Sequence, residues 1–204
     1  MSISKFLTSL LVLTLVLSLA TPVWAVVFTN PAAITLPDAT TIGSANLYPS
    51  GVAVSGMTGT ITTVTMTLNN ITHTFPDDLD MLLVGPTGAN LVVLSDVGGS
   101  DDRTNTTITL DDAAAASLPD GIGYAPGTYK PTNIGAGDAF NAPAPAPSAN
   151  TTMAAAFAGT DPNGTWNLFV ADDLGADMGT IGNGWSLTIT TSGSPATTFT
   201  NGTT

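Results

Sequence analysis

The sequence predicts an all-β protein, a sandwich or barrel of about eight strands with little helix. Three observations carry this. Apolar and polar residues alternate with a period of two in several segments, as a half-buried strand requires. Turn-forming residues punctuate the chain between those segments, at Pro76-Asp77-Asp78, Gly85-Pro86-Thr87-Gly88, Gly98-Gly99 and Gly182-Asn183-Gly184. Apolar residues make up 43% of the chain and charged ones only 9%, which suits a well-filled core under Thr-rich faces and argues against a helical bundle or a disordered chain.

The elements follow in order. A strand is expected somewhere within Val26–Leu36, and another at Val52–Val54. In Thr63–Leu68 the residues Val64, Met66 and Leu68 point one way and Thr63, Thr65 and Thr67 the other. Leu79–Val84 and Leu91–Leu94 are apolar on both sides, which predicts central strands covered on both faces. Thr106–Leu110 is next. Thr165–Val170 then sets Trp166, Leu168 and Val170 inward, and Trp185–Thr190 does the same with Trp185, Leu187 and Ile189. Two alanine runs, Asp111–Leu118 and Thr151–Ala158, are long enough for a turn or two of helix each. Ala142–Pro147 (APAPAP) reads as an extended surface crossover between sheets.

Residues 1–25 (MSISKFLTSLLVLTLVLSLATPVWA) read as a secretory signal peptide. Lys5 supplies the positive start, Phe6–Ala20 the apolar run, and Val23 and Ala25 the small residues before a cleavage point. The expectation is a bacterial-type secreted, extracellular protein. It has a sandwich domain over 26–192, a flexible tail over 193–204, and no membrane contact once the leader is removed. All 15 acidic residues are aspartate. Without Lys5, two basic side chains against fifteen acidic ones leave a net charge of −13. Such a chain repels phosphate backbones, so no nucleic-acid partner is expected. The absence of cysteine removes disulfides, thiolate catalysis and Cys-ligated zinc.

Two ordered segments resemble a known family. Ile71-Thr72-His73-Thr74-Phe75-Pro76-Asp77-Asp78-Leu79-Asp80, continuing through Leu82-Leu83-Val84-Gly85-Pro86-Thr87-Gly88, is similar to the first signature of the P domain (P/Homo B domain) of subtilisin-like proprotein convertases. Asn163-Gly164-Thr165-Trp166-Asn167-Leu168 through Val170-Ala171-Asp172, then Gly175–Ile181 and Gly184–Ile189, resembles the second. The likeness runs from about Val27 to Thr190. It implies an antiparallel β-sandwich of jelly-roll type that stabilises a neighbouring domain and often carries calcium. The chain shows no protease segment of its own, so the expectation is a stand-alone binding or structural module.

No catalytic chemistry is expected. A Ser-His-Asp arrangement needs a histidine base, and the one histidine, His73, falls in a strand-like His-Thr stretch. Asn150-Thr151-Thr152-Met153-Ala154 echoes a subtilisin nucleophile segment, but Thr152 stands where the serine belongs. A glycosidase pair would flank an aromatic sugar cleft, whereas both tryptophans beyond the leader lie at core-facing positions.

The aspartates are instead grouped in turns at strand ends: Asp77-Asp78 with Asp80, Asp96 with Asp101-Asp102, Asp111-Asp112, and Asp172-Asp173 with Asp177. Calcium takes six to eight oxygens from carboxylates and carbonyls in such loops. Crowded carboxylates would raise one another's pKa without a cation. No spacing matches an EF-hand loop. The expected ligands of a structural calcium ion are Asp80 first, then Asp172, with Asp78, Asp102, Asp111 and Asp177. Asp38 lies outside the groups. The functional expectation is a calcium-stabilised module that binds or stabilises an extracellular partner protein. The alternative is a structural subunit that self-assembles into a filament or layer, the apolar arm Val26–Asn30 adding as a strand to a neighbour's edge.

Overall fold

The computed structural model describes residues 24–38, 43–135 and 137–193. The leader, apart from Trp24 and Ala25, and nearly all of the 193–204 tail lie outside the described residues. Two sheets pack face to face around one core. The longest strand, β5 (Ile61–His73), is the spine of the first sheet. Along one side of it run β13 (Trp185–Thr191) and then β12 (Gly179–Ile181); β8 (Arg103–Leu110) runs along the other. β1 (Ala25–Asn30) extends the sheet beyond β13, β2 (Ile34–Leu36) beyond β12, and β9 (Gly127–Tyr129) beyond β8. The second sheet is centred on β11 (Gly164–Asp172). β6 (Leu79–Val84) lies on one side of it, with β4 (Ser50–Val54) and β3 (Gly43–Ser44) along the other. β7 (Asn90–Ser95) follows β6, and β10 (Thr132–Asn133) closes that edge. All pairings between these strands are antiparallel except β7–β10 and β8–β9.

Each expected strand is present, and the alternation is what places the core. Val64, Met66, Leu68, Trp166, Leu168, Trp185, Leu187 and Ile189 are all buried between the sheets. The two indoles keep their N–H groups satisfied, Trp166 Nε1 donating to the Pro162 carbonyl at 2.9 Å and Trp185 Nε1 to Ser50 Oγ at 3.0 Å. The second of these bonds ties one sheet to the other.

β6 and β7 are buried on both faces, and the reason is the proline-rich segment. Phe140 and Ala144, with Tyr48, pack on Leu82, Val84, Val92 and Phe169, on the side of the second sheet away from the main core. The segment thus joins β10 to β11 within one sheet and covers its outer face, rather than crossing between sheets. Gly182-Asn183-Gly184 forms the expected turn, Gly184 N–H donating to the Ile181 carbonyl at 3.2 Å, but the turn does not reverse the chain. β12 and β13 run in the same direction along β5, and the Gly-Asn-Gly stretch is an interruption between them opposite Asn69 and Asn70. Gly184 adopts φ +63 there and Asn70 φ +67, a left-handed backbone open to glycine and asparagine.

Of the two alanine runs, only the second is helical, as α1 (Met153–Phe157). Thr152 caps it through Ala155 N–H, and the Asp112 carboxylate accepts from Met153 and Ala154 N–H. The first run, 111–118, stays in turns because Asp111 accepts from Ala113 N–H and the segment then bridges Lys130.

Candidate metal centre

Strand direction brings eight of the fifteen aspartates to one end of the sandwich. β6 starts there, β7 and β11 end there, and β5 arrives there at His73. Asp80 sits on β6 beside Ala171 of β11, while Asp172 pairs with Leu79. Asp77 and Asp78 form the 3-10 turn that feeds β6, and Asp173 and Asp177 lie in the loop that leaves β11. Asp96 follows β7, and Asp138 returns from the segment after β10.

His73 and Asp172 are both fully buried and paired across the two sheets, Nε2 to Oδ2 at 3.2 Å. His73 Nδ1 accepts the Phe75 N–H at 3.1 Å, which leaves the ring hydrogen on Nε2 to be donated to Asp172. Asp172 Oδ1 accepts from Leu174 N–H. Both ring nitrogens are therefore spent inside the fold.

The other carboxylates have no such partner. Asp78 is 5% exposed and its Oδ2 has no hydrogen bond; Asp77 Oδ1 is buried and unpartnered as well. Burial pushes the Asp78 carboxyl up to about 7, and Asp172, Asp173, Asp177 and Asp77 act in the same direction. Asp80, 3% exposed, is also raised to about 7 by burial, against the opposing hydrogen bond from Ser95, with Asp173, Asp138 and Asp96 adding repulsion. Burial first and Asp138 next raise Asp96; burial raises Asp173, with Asp138 and Asp77 adding to it. Burial also raises Asp172, outweighing the lowering influence of His73. The His73–Asp172 pair is the only ion pair among the described residues. Arg103 is turned to the Asp101 and Tyr124 carbonyls and to the Tyr124 ring.

Of the six expected ligands, Asp78, Asp80, Asp172 and Asp177 are brought into this cluster. Asp102 and Asp111 are not. Asp102 stands exposed before β8, and Asp111 closes its local turn by accepting from Ala113 N–H. Four residues join instead: Asp77, Asp96, Asp138 and Asp173. Asp138 stands alone in a Gly/Ala stretch without any neighbouring carboxylate to mark it, so only the path of the chain after β10 could reveal it. Asp38 is tied to the site, since its Oδ1 accepts from Ala176 N–H in the Asp173–Met178 loop. Among the described residues no three such side chains already stand in ligating geometry about one point. The donor set is nevertheless what a hard cation takes: carboxylate oxygens, several of them buried and uncompensated.

A groove of about 320 Å³ lies beside the cluster, lined by Leu36, Thr72, Thr74, Met178 and Thr180. Leu174 and Met178, on the loop that carries Asp173 and Asp177, are 59% and 60% exposed. No helix among the described residues is long and apolar enough to cross a membrane. No protein-family model matches the chain, and no curated protein matches it in sequence.

Proposed function

We propose that this protein is a secreted, non-catalytic β-sandwich module whose acidic end is stabilised by calcium and which binds or stabilises an extracellular partner protein. One observation carries the reading: the buried Asp78 carboxylate, with an unpartnered oxygen, faces other aspartates and no basic side chain. A divalent cation is the simplest group that removes both the repulsion and the unmet acceptor. The absence of a free histidine lone pair supports the non-catalytic reading. The exposed Leu174 and Met178 offer a partner an apolar contact set in acidic surroundings. The resemblance to the P domain supports the same reading, for its two signature segments fall on β5–β6 and on β11–β13, neighbouring strands joined by the His73–Asp172 pair.

The test is thermal unfolding in EDTA, in millimolar calcium and in millimolar magnesium. Calcium at roughly 100 times its Kd adds about 2.7 kcal/mol, or about 5–11 °C in Tm for a domain of this size. Magnesium is a poor substitute because it demands tight octahedral geometry. Asp80→Asn removes most of the difference, whereas Asp120→Asn, at an exposed position outside the cluster, leaves it intact. Superimposable melting curves in EDTA and calcium would overturn the reading.

A second reading, self-association, is favoured by the state of β1. The arm is not free to be donated, since it pairs with β13 of its own chain over Ala25–Asn30. It is an edge strand with no charged residue, its inward Val26 and Phe28 remain half-buried, and Val27 is 61% exposed. Such an edge accepts a second copy side by side. Sedimentation of the leader-free protein should then show a concentration-dependent dimer that Val27→Lys abolishes while changing stability by less than about 0.5 kcal/mol. A strict monomer at millimolar concentration rules this reading out.

A further inference from the structure

We infer that the groove beside the acidic end seats a cationic segment of the partner protein, with an apolar side chain in the groove and a basic one at Asp38. The inference rests on the partner-binding reading above and gives that partner its chemistry.

Strand register builds the floor of the groove. Thr180 on β12 pairs with Thr35 of β2 on one side and with Thr72 of β5 on the other. All three alternate with buried neighbours, so they form one row across three strands on the outer face of the first sheet. Thr72 Oγ1 accepts from Asn105 N–H, and Thr74 Oγ1 donates to Asp177 Oδ1 at 2.7 Å, so these hydroxyls are already engaged within the protein. What the groove offers an occupant is mainly carbon, with the exposed Met178 side chain beside it. The free edge of β2 is closed by Asn46, whose Oδ1 accepts Thr35 N–H at 2.8 Å and whose N–H donates to the Thr35 carbonyl at 2.9 Å. The occupant therefore does not add as a further strand; it is recognised through its side chains.

Charge decides which segment fits. Asp38 is exposed just beyond Leu36, and its Oδ1 accepts from Ala176 N–H at 2.8 Å, which pins it to the loop that carries Met178. Asp177 adjoins Met178 and is held by Thr74 of the groove wall. No basic side chain lines the groove among the described residues. The tail over 193–204 carries no basic residue to supply one. A second copy brings only Arg103 and Lys130 against fifteen aspartates, and Arg103 is already spent on the Asp101 and Tyr124 carbonyls. Neither complements an acidic rim. A segment of another protein with Arg or Lys beside an apolar residue does. An exposed ion pair is weak by itself, so the seated apolar side chain carries the affinity, while the carboxylates select the sign of the partner and speed its approach.

The experiment is a fluorescence-anisotropy titration of the whole folded protein, in EDTA and in millimolar calcium. The probes are labelled synthetic peptides whose central leucine is flanked by arginines, by serines or by aspartates. Saturable binding of the arginine peptide is expected, several-fold tighter than the serine peptide, with the aspartate peptide unbound. Met178→Ser should weaken the arginine peptide about tenfold and retain the wild-type near-ultraviolet circular dichroism. Asp38→Asn, which keeps an acceptor for Ala176 N–H, should remove most of the advantage of arginine over serine. Equal affinity for those two peptides overturns the inference, as does full affinity in Met178→Ser. No saturable binding of the arginine peptide up to millimolar concentration also overturns it, and a calcium-dependent Tm then leaves the calcium-stabilised module standing. Peptide binding together with superimposable melts in EDTA and calcium overturns the calcium reading and leaves this inference in place.

Discussion

Replacing Trp185 with alanine should cost about 3–5 kcal/mol of stability, a large share of what a domain of this size possesses. Trp185 is completely buried on β13, where it pairs with Leu68 of the spine strand and reaches across to Ser50 on the opposite sheet. Truncation removes the indole contacts and leaves a cavity that rigid strands on both sides cannot collapse to fill. It also leaves Ser50 Oγ, a buried hydroxyl, without its indole donor. The expected drop in Tm is roughly 6–20 °C. Urea denaturation monitored by circular dichroism measures it, with an unchanged m value showing that the same surface still unfolds. Val27→Ala, at an exposed position on β1, is the comparison and should change little. A loss below 1 kcal/mol for Trp185→Ala would mean that the two sheets do not depend on this contact.

The calcium-free protein should become less stable as pH rises from about 4 to about 7, the reverse of ordinary acid denaturation. Asp78 and Asp80 have folded pKa values raised from 3.8 to about 7, through burial first and acidic neighbours second. In the unfolded chain both release their protons near pH 4. The native state keeps them until about pH 7, so across that window it binds more protons than the unfolded state. Stability then falls with pH, and it levels off below and above the window. One pKa unit is worth about 1.4 kcal/mol. If solvent screening leaves only about one unit at each group, the loss is still about 3 kcal/mol, or roughly 6–12 °C in Tm. Millimolar calcium should flatten this slope at neutral pH, because the ion takes the place of the protons. Melting curves between pH 4 and 8 in EDTA decide the point. A Tm that climbs with pH in EDTA would show that these carboxylates are not desolvated in the folded protein.

How much of this was legible beforehand depends on the reach of the signal. The strands were, since alternation in Thr63–Leu68, Thr165–Val170 and Trp185–Thr190 expresses which side chains leave water, and one face of each strand had to be buried. The double coverage of Leu79–Val84 and Leu91–Leu94 was also legible, although the cover itself, Phe140 and Ala144, was hidden in a segment with no period. Local punctuation marked the turns without telling which of them reverse the chain. Gly182-Asn183-Gly184 is a turn as its residues predict, but whether the chain reverses there or runs on is decided only by the pairing of both flanking strands with β5.

The candidate site divides in the same way. Sequence by itself determined that the chain is acidic, aspartate-only and without cysteine, and that its carboxylates gather at strand ends, because composition and turn preference are properties of residues and their near neighbours. Tertiary structure decided which strand ends coincide. It set Asp80 against Ser95, brought Asp138 from an isolated position to the same hydroxyl, and left Asp102 and Asp111 outside. It also spent His73 on Asp172 across the two sheets. Those choices follow from strand register and direction, which fix distances between residues tens of positions apart and leave no trace in local sequence.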